Sequence, residues 1–385
     1  MRLLLISPDF PPPFVGGSLV YIYNLLDAFS EPIDILTGPL PKGAVDSISK
    51  RHRVFRSRFI ATFFYRRTKF QKLITYPYCL LWLIQRCLLV RYDAVIVNFD
   101  LVGNSLLILL SKVLGIPIIG VAYAEELTIP RRSQGPENLI KRFLMRWAYK
   151  HASGFVSVCR FAKEILTSLG VPPDRVEVIP PTLSLVKRSK TRLAAVPDHR
   201  ILSVGRLIAR KGFNYLIDAI RLLRTDIPDI HLTIVGNGQE RESLLRKILD
   251  AHLEHQVSMR TNVPDEELAE LYQECDVFVL ANVMLDNGDC EGSPTVLIEA
   301  SSCGKPVIGG ASGGTDTMIE DGKTGYLVDP RDTRVLARRL KEILSDSSLA
   351  FQMGMAGIQK VETQHRPHDA SIRFHAFIQR IVANA

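Results

Sequence analysis

At 385 residues and 46% hydrophobic content, the chain is too long for one compact core and well supplied for two. Its formal charge of +8 favours anionic partners without selecting one. Six cysteines with no CxxC or Cys/His ligand spacing argue against a disulfide framework or a zinc site and suit a reducing compartment.

The opening MRLLLISPDF has one early arginine and an apolar run too short for a signal peptide, so Leu3–Ser7 reads as a first buried strand. A Pro/Gly loop with Gly16 and Gly17 follows, then a helix from about Ser18 to Phe29. Short apolar strands are predicted at 33–36, 94–98, 116–121, 155–158 and 176–179, with a helix over 105–114. From Pro180 to Arg200 the composition turns basic, proline-bearing and aperiodic, which reads as a linker. Alternation restarts with strands at 200–204, 231–235, 277–280, 307–309 and 326–328, helices at 215–225 and 239–251, and a terminal helix at 369–382. No segment reaches the ~20 apolar residues that span a bilayer; the nearest, 73–90, is broken by Pro77, Gln85 and Arg86. The pattern predicts α/β architecture: two Rossmann-like doubly wound domains facing across a cleft. The expected boundaries are 1–182, a linker at 183–199, a second domain at 200–366, and a last helix, 367–385, returning to the first domain.

The most informative stretch is EGSPTVLIEASSCGKPVIGGASGG, residues 291–314. Ser293 reads as a helix N-cap, Pro294 as the first helical residue, and Thr295 follows them. Gly304 and Pro306 end that helix and lead into a strand. Glu291 is thus expected on a loop, and Glu299 roughly 7–8 Å along the helix axis. Two carboxylates at a helix start suit a ligand with hydroxyls and phosphates. Upstream, Gly205-Arg206 closes a strand and Lys211-Gly212 opens a helix. A guanidinium and an ammonium flanking one such loop can neutralise a diphosphate; a solvated basic turn is the plain alternative. Gly16 and Gly17 let a backbone approach a ligand, or simply turn the chain. Gly313 and Gly314 can cradle an anion or a sugar edge with consecutive amides, or form a surface loop. Asp286, Asp289 and Glu291 read as loop residues rather than a metal cage.

Between Asp46 and Asp93 no acid occurs. Arg56, Arg58, Arg66, Arg67 and Lys69 lie there among aromatics, and Arg131, Arg132, Lys141, Arg142 and Arg146 extend the basic character. This mixture suits the headgroup layer of an anionic membrane. Single-stranded nucleic acid and a merely solvated face are the alternatives; the membrane is preferred and nucleic acid is not expected.

Together with SVGRLIARKG, IVGNGQERESL, VPDEELAELYQECDVFVL and IEDGKTGYLVDPRD, these motifs resemble the retaining glycosyltransferases of GT-B architecture, in particular the glycogen-synthase-like family four. The resemblance covers nearly the whole chain. It implies a nucleoside diphosphate sugar as donor and a lipid-linked or glycan acceptor, in cell-surface polysaccharide or glycolipid synthesis. It also implies that no cofactor or metal is required. By resemblance, Arg206 and Lys211 bind the donor diphosphate, Glu299 the ribose hydroxyls, and Glu291 the transferred sugar. Gly16 and Gly17 approach the diphosphate, and Gly205, Ser293, Pro294, Thr295, Gly313 and Gly314 line the donor site. Where the family often has His-Gly, this chain has Tyr123-Ala124-Glu125, so Tyr123 and Glu125 stand as the sugar-site wall. A cytoplasmic enzyme at the inner face of the plasma membrane is expected. A catalytically silent nucleotide-sugar-binding subunit and a sugar-nucleotide epimerase of the same architecture are the other readings.

Overall fold

The computed structural model describes residues 1–12, 17–40, 43–46, 48, 50–60, 69–98, 105–124, 126–128, 136–183 and 198–385. Much of the linker predicted at 183–199 therefore lies outside the described residues. The chain divides into two compact units, Met1–Thr182 with Pro367–Ala385, and Leu183–Arg366.

The first unit is a seven-stranded parallel sheet. Its strands are β1 (Leu3–Ile6), β2 (Ile33–Thr37), β3 (Arg53–Arg56), β4 (Ala94–Val97), β5 (Ile118–Ala122), β6 (Gly154–Ser157) and β7 (Val176–Val178), in the order β3-β2-β1-β4-β5-β6-β7. β1 lies between β2 and β4, with Leu3 opposite both Ile33 and Ala94. The inner strands are apolar along their whole length because helices cover both faces of such a sheet. Helices α1 (Gly17–Asp27), α2 (Lys69–Leu89), α3 (Ser105–Leu114), α4 (Pro136–His151) and α5 (Arg160–Ser168) connect them. The terminal helix, Pro367–Ala383, buries Phe374, Phe377, Ile378 and Ile381 in this unit's core. Phe374 meets Phe29 edge-on at 5.9 Å, and Ser371 donates to the carbonyl of Ala28.

The second unit repeats the design with six parallel strands: β8 (Arg200–Val204), β9 (His231–Val235), β10 (Val257–Arg260), β11 (Val277–Leu280), β12 (Val307–Gly310) and β13 (Gly325–Val328). Their order is β10-β9-β8-β11-β12-β13. From β8 the chain builds outward to β9 and β10, then returns to β11 on the other side of β8. Ligands of such sheets bind outside the carboxyl ends of the strands at this reversal.

Two strands were not predicted, β3 and β10. Both are edges, paired on one side only. Their sequences, RVFR and VSMR, lack the continuous apolar run of an inner strand, and most of their residues are partly exposed. β3 also corrects the picture of the basic tract as uncommitted charge. Arg53 and Arg86 both meet the buried Asp34, at 2.7 and 3.4 Å, where Tyr92 also donates at 2.6 Å. Arg56, assigned above to a surface patch, turns inward. It pairs with Asp46 and donates to the carbonyls of Gly38 and Pro11. A guanidinium fixed by a carboxylate and two carbonyls has few donors left for lipid.

Gly212 sits where β8's loop crosses the end of β11. Its φ is +66°, and a Cβ there would lie 1.7 Å from the carbonyl oxygen of Ala281. Gly322 has a similar φ of +72° but open space around it. Gly322→Ala should therefore cost only the left-handed strain, about 1–2 kcal/mol. Gly212→Ala adds a backbone clash and should cost clearly more, on the order of 3 kcal/mol. Urea unfolding of the two variants checks the difference.

Candidate functional site

Three loops leave the carboxyl edge of the second sheet close to its reversal. The loop after β8 runs through Gly205 and Arg206 into a tight turn, Ala209–Lys211. The loop after β11 carries Asn282, Asp289 and Glu291 to the helix Thr295–Ser302. The loop after β12 carries Ser312, Gly313 and Gly314.

Glu291 joins all three. It is 7% exposed, and Lys211 beside it is 8% exposed. Its Oε2 lies 3.0 Å from Lys211 Nζ, and its Oε1 accepts from Arg210 Nε at 2.7 Å. Arg210 also donates to Asp289 at 2.6 Å. Burial pushes the Glu291 carboxyl up, but the charges of Lys211 and Arg210 and their hydrogen bonds outweigh it and bring it down to about 2. The backbone of Glu291 is held as well. Gly314 N–H donates to its carbonyl at 2.9 Å. Gly313 has φ +61° and packs so closely that a Cβ would lie 2.1 Å from that same oxygen. The glycine pair thus supports Glu291 directly.

The buried Asn282 links the loops from below. Its amide donates to Thr315 and Ser312, and its side-chain oxygen accepts from Gly310 N–H at 3.1 Å. Gly205 lies against Lys211, whose Cε would be 3.4 Å from a Cβ there.

The helix that follows starts one residue later than predicted. Pro294 is its N-cap and Thr295 its first residue, with no side-chain cap from Pro294. Proline has no N–H to give at this boundary and its fixed φ suits the entry to a helix. Ser293 precedes the cap. Glu299, one turn on, accepts from Tyr272 at 2.8 Å. Its carboxyl is raised, chiefly by burial, while hydrogen bonds from Tyr272 and Thr295 oppose the rise. Glu299 and Glu291 are therefore shifted in opposite directions: Glu291 pairs with two cations, whereas Glu299, also largely buried, has a phenol and a threonine as its hydrogen-bond partners. Arg206 is exposed, and among the described residues its guanidinium has no hydrogen-bond or ion-pair partner, while its carbonyl accepts from Ile208 N–H at 2.9 Å.

In the first unit, Gly17 opens α1, and Gly16 lies outside the described residues. Tyr123, at the end of β5, points its hydroxyl at Asn98 Oδ1 (2.9 Å) and at the carbonyl of Ser18 (3.2 Å). Asn98 in turn donates to Ser7 at 3.0 Å. This chain ties the ends of β1, β4 and β5 to the start of α1. Burial raises the Tyr123 phenol far above its usual range, so it acts as a neutral donor. Glu125, Arg66 and Arg67 lie outside the described residues, and of Lys69 only the backbone is described. Arg58 is exposed, its guanidinium 5.2 Å from the Phe59 ring centre.

Sequence reasoning missed Arg210, Asp289, Tyr272 and Asn282 as members of this site. Asn282 carried a signal, since it lies two residues past the VFVL strand at the edge where ligands of such sheets bind. Arg210 was passed over beside Lys211, and Tyr272 comes from the last turn of the helix Asp265–Glu274 with no local mark.

Residues 15–185 match the family model for Glycosyltransferase Family 4, and residues 188–360 match that for Glycosyl transferases group 1. The chain is 32% identical over 233 residues to a GDP-mannose-dependent alpha-(1-6)-phosphatidylinositol monomannoside mannosyltransferase of Mycolicibacterium smegmatis, covering 57% of this chain and 60% of that one. It is 30% identical over 225 residues to an amylovoran biosynthesis glycosyltransferase of Erwinia amylovora, covering 58% and 55%. The chain thus spans a little over half the length of these curated relatives. Among solved structures, sucrose-phosphate synthase from Thermosynechococcus elongatus aligns over 100% of both chains with TM-score 0.77 and 20% identity. Anabaena HepE in complex with UDP aligns over 99% of this chain and 100% of that one, with TM-score 0.74 and 16% identity. At these identities the structural likeness concerns the GT-B fold.

The depressed Glu291 carboxyl makes a signed prediction. An acid whose folded pKa lies below its unfolded value stabilises the fold fully above the unfolded value and loses that stabilisation as pH falls through the folded one. Against an unfolded pKa near ~4.3, the contribution is on the order of 3 kcal/mol. The stability gap between wild type and Glu291→Gln should be constant from pH 6 to 8 and close between about pH 5 and 2. Urea unfolding across that range measures it.

Proposed function

Because the chain belongs to the family 4, group 1 glycosyltransferases, we propose that it is a retaining, nucleotide-sugar-dependent enzyme. It transfers a hexose from a nucleoside diphosphate sugar to a lipid-linked or glycan acceptor in surface polysaccharide or glycolipid synthesis. The observation that carries this reading is the convergence of three carboxyl-edge loops on one buried pair, Lys211 and Glu291, with Arg206 exposed on the same loop. In this reading Lys211 and Arg206 take the charge that develops on the leaving diphosphate. Glu291 accepts from hydroxyls of the transferred sugar, and Glu299 from the ribose. The bond from the anomeric carbon to the phosphate oxygen breaks while the acceptor oxygen bonds to that carbon from the same face. The departing phosphate takes the acceptor's proton, so configuration is retained. The mannosyltransferase and amylovoran relatives, by their names, act on such lipid and polysaccharide substrates. A GDP-sugar is therefore tested first, beside UDP- and ADP-sugars.

A donor present at a hundred times its dissociation constant stabilises the fold by about 2.7 kcal/mol. One class of donor should raise the melting temperature, and the others should not. Arg206→Ala and Glu299→Ala should each lower turnover by roughly a hundredfold; wild-type rates in both would overturn the reading. Since the protein's cations carry the leaving-group charge, turnover should persist in EDTA. NMR of the product should show the donor's anomeric configuration. One observation favours a second reading, a silent donor-binding subunit: the Tyr123 hydroxyl is committed to Asn98 and Ser18. Donor binding without turnover on any acceptor mixture would select it.

We also propose peripheral attachment to the cytoplasmic, anionic membrane surface. Helices α2, α3 and α4 contain eight lysines and arginines and a single acid, Glu137. α3 packs against both of the others. Their outward sides expose Leu81, Ile84, Val113 and Phe143, the last at 69%. On α2 the exposed Ile74, Pro77, Leu81 and Ile84 recur at helical spacing, opposite the buried Cys79 and Leu83. Among the described residues no helix is long and apolar enough to cross a membrane. Apolar stripes beside lysines and arginines suit a helix lying in the headgroup layer. The protein should co-sediment with phosphatidylglycerol-containing vesicles and not with phosphatidylcholine alone. Leu81→Ser with Phe143→Ser should weaken this, and equal sedimentation would remove the apolar face from the account.

A further inference from the structure

The cation expected to meet a diphosphate is already engaged. Lys211 Nζ lies 3.0 Å from Glu291, and both side chains are buried. If Lys211 turned to a phosphate and nothing else held Glu291, a carboxylate would be left unpaired out of water, which costs several kcal/mol. Arg210 removes that difficulty. Its Nε holds the other oxygen of Glu291, and its second nitrogen is anchored on Asp289. Its backbone is fixed too, because the Arg210 carbonyl accepts from Val283 N–H at 2.8 Å.

We infer that Arg210 is a positioning residue that keeps Glu291 compensated and oriented, and so releases Lys211 to bind the donor's diphosphate. This deepens the donor-site reading above and rests on it. The two acids around Arg210 sit on the loop after β11, and the two cations on the loop after β8. Arg210 has Nε and one terminal nitrogen committed to its two carboxylate partners, so it acts through Glu291 rather than on the phosphates. Charged groups facing Glu291 are Lys211 and Arg210, with Asp289 beyond the guanidinium. A lysine at 210 can pair with only one carboxylate at a time as a point charge, whereas the arginine fork spans both.

The experiment is a double-mutant cycle on binding of UDP, GDP and ADP by calorimetry at pH 7. Arg210→Met should weaken the nucleoside diphosphate by roughly tenfold or more, because Lys211 then stays on Glu291. Arg210→Lys should recover part of the loss. Removing the competitor as well, in Arg210→Met/Glu291→Gln, should restore binding to within about threefold of Glu291→Gln alone. A double variant as weak as Arg210→Met overturns the inference, since Arg210 would then act on the anion or on folding directly. A second readout needs no ligand: the side-chain carboxyl carbon-13 resonance of Glu291, assigned through Glu291→Gln. Its midpoint should rise by about one unit or more in Arg210→Met, and an unmoved midpoint also overturns the inference. If wild type binds none of the three diphosphates, the donor-site reading falls, and the carboxyl titration alone decides the role of Arg210.

Discussion

A carboxylate with 7% exposure cannot stand alone, and the second unit is organised around that requirement at Glu291. Its side chain draws the loop after β8 inward through Arg210 and Lys211. Its carbonyl receives Gly314 and leaves no room for a Cβ on Gly313, which sets the path of the loop after β12. Asn282, fully buried below, bonds the end of β12 and the Ser312 loop to the end of β11. Three connections that are distant in sequence are thereby held at fixed spacing before any ligand arrives. Such preorganisation is what lets charged groups act on a substrate without reorganising.

The two carboxylates of the site show how position sets chemistry. Glu291 is flanked by two cations and stays ionised. Glu299, on the next helix, is bonded to the Tyr272 hydroxyl and has its carboxyl raised by burial. One carboxyl is held below the usual carboxylate range and the other is raised above it, and both come from one helix-loop segment of nine residues.

The first unit handles charge differently. Its long acid-free stretch looks in sequence like uncommitted positive charge. Four of its arginines are paired within the unit: Arg53 and Arg86 close on Asp34, Arg56 on Asp46, and Arg51 on the carbonyl of Phe29. Arg86 also lies over Phe55 at 4.7 Å. The aromatic residues thus partly serve as platforms for arginine within the unit. Surface character instead comes from the apolar outer sides of α2 and α3, which a reading tuned to charge overlooks. Those helices carry apolar residues on more than one side, so burying Cys79 and Leu83 of α2 leaves Leu81 and Ile84 exposed.

The sequence by itself determined the doubly wound design, because inner parallel strands are covered on both faces and must be apolar throughout, as LLLI, AVIV and VFVL are. It also singled out the segment 291–314, whose Glu291 the structure pairs with Lys211 and Arg210. Gly304 and Pro306 ended the helix after Glu299 as written, and Ser105–Leu114 and His231–Val235 have the predicted limits. Edge strands β3 and β10 escaped, since a half-exposed strand needs no apolar run. Only the tertiary structure decided the partners of each charge. Arg206 looked like the equal of Lys211 but is exposed, its guanidinium without a partner among the described residues, while Arg210, next in the chain to Lys211, is bound to two acids about eighty positions away. Ion pairing depends on distances in space, and no local pattern of residue types encodes which of three neighbouring cations a buried carboxylate will face.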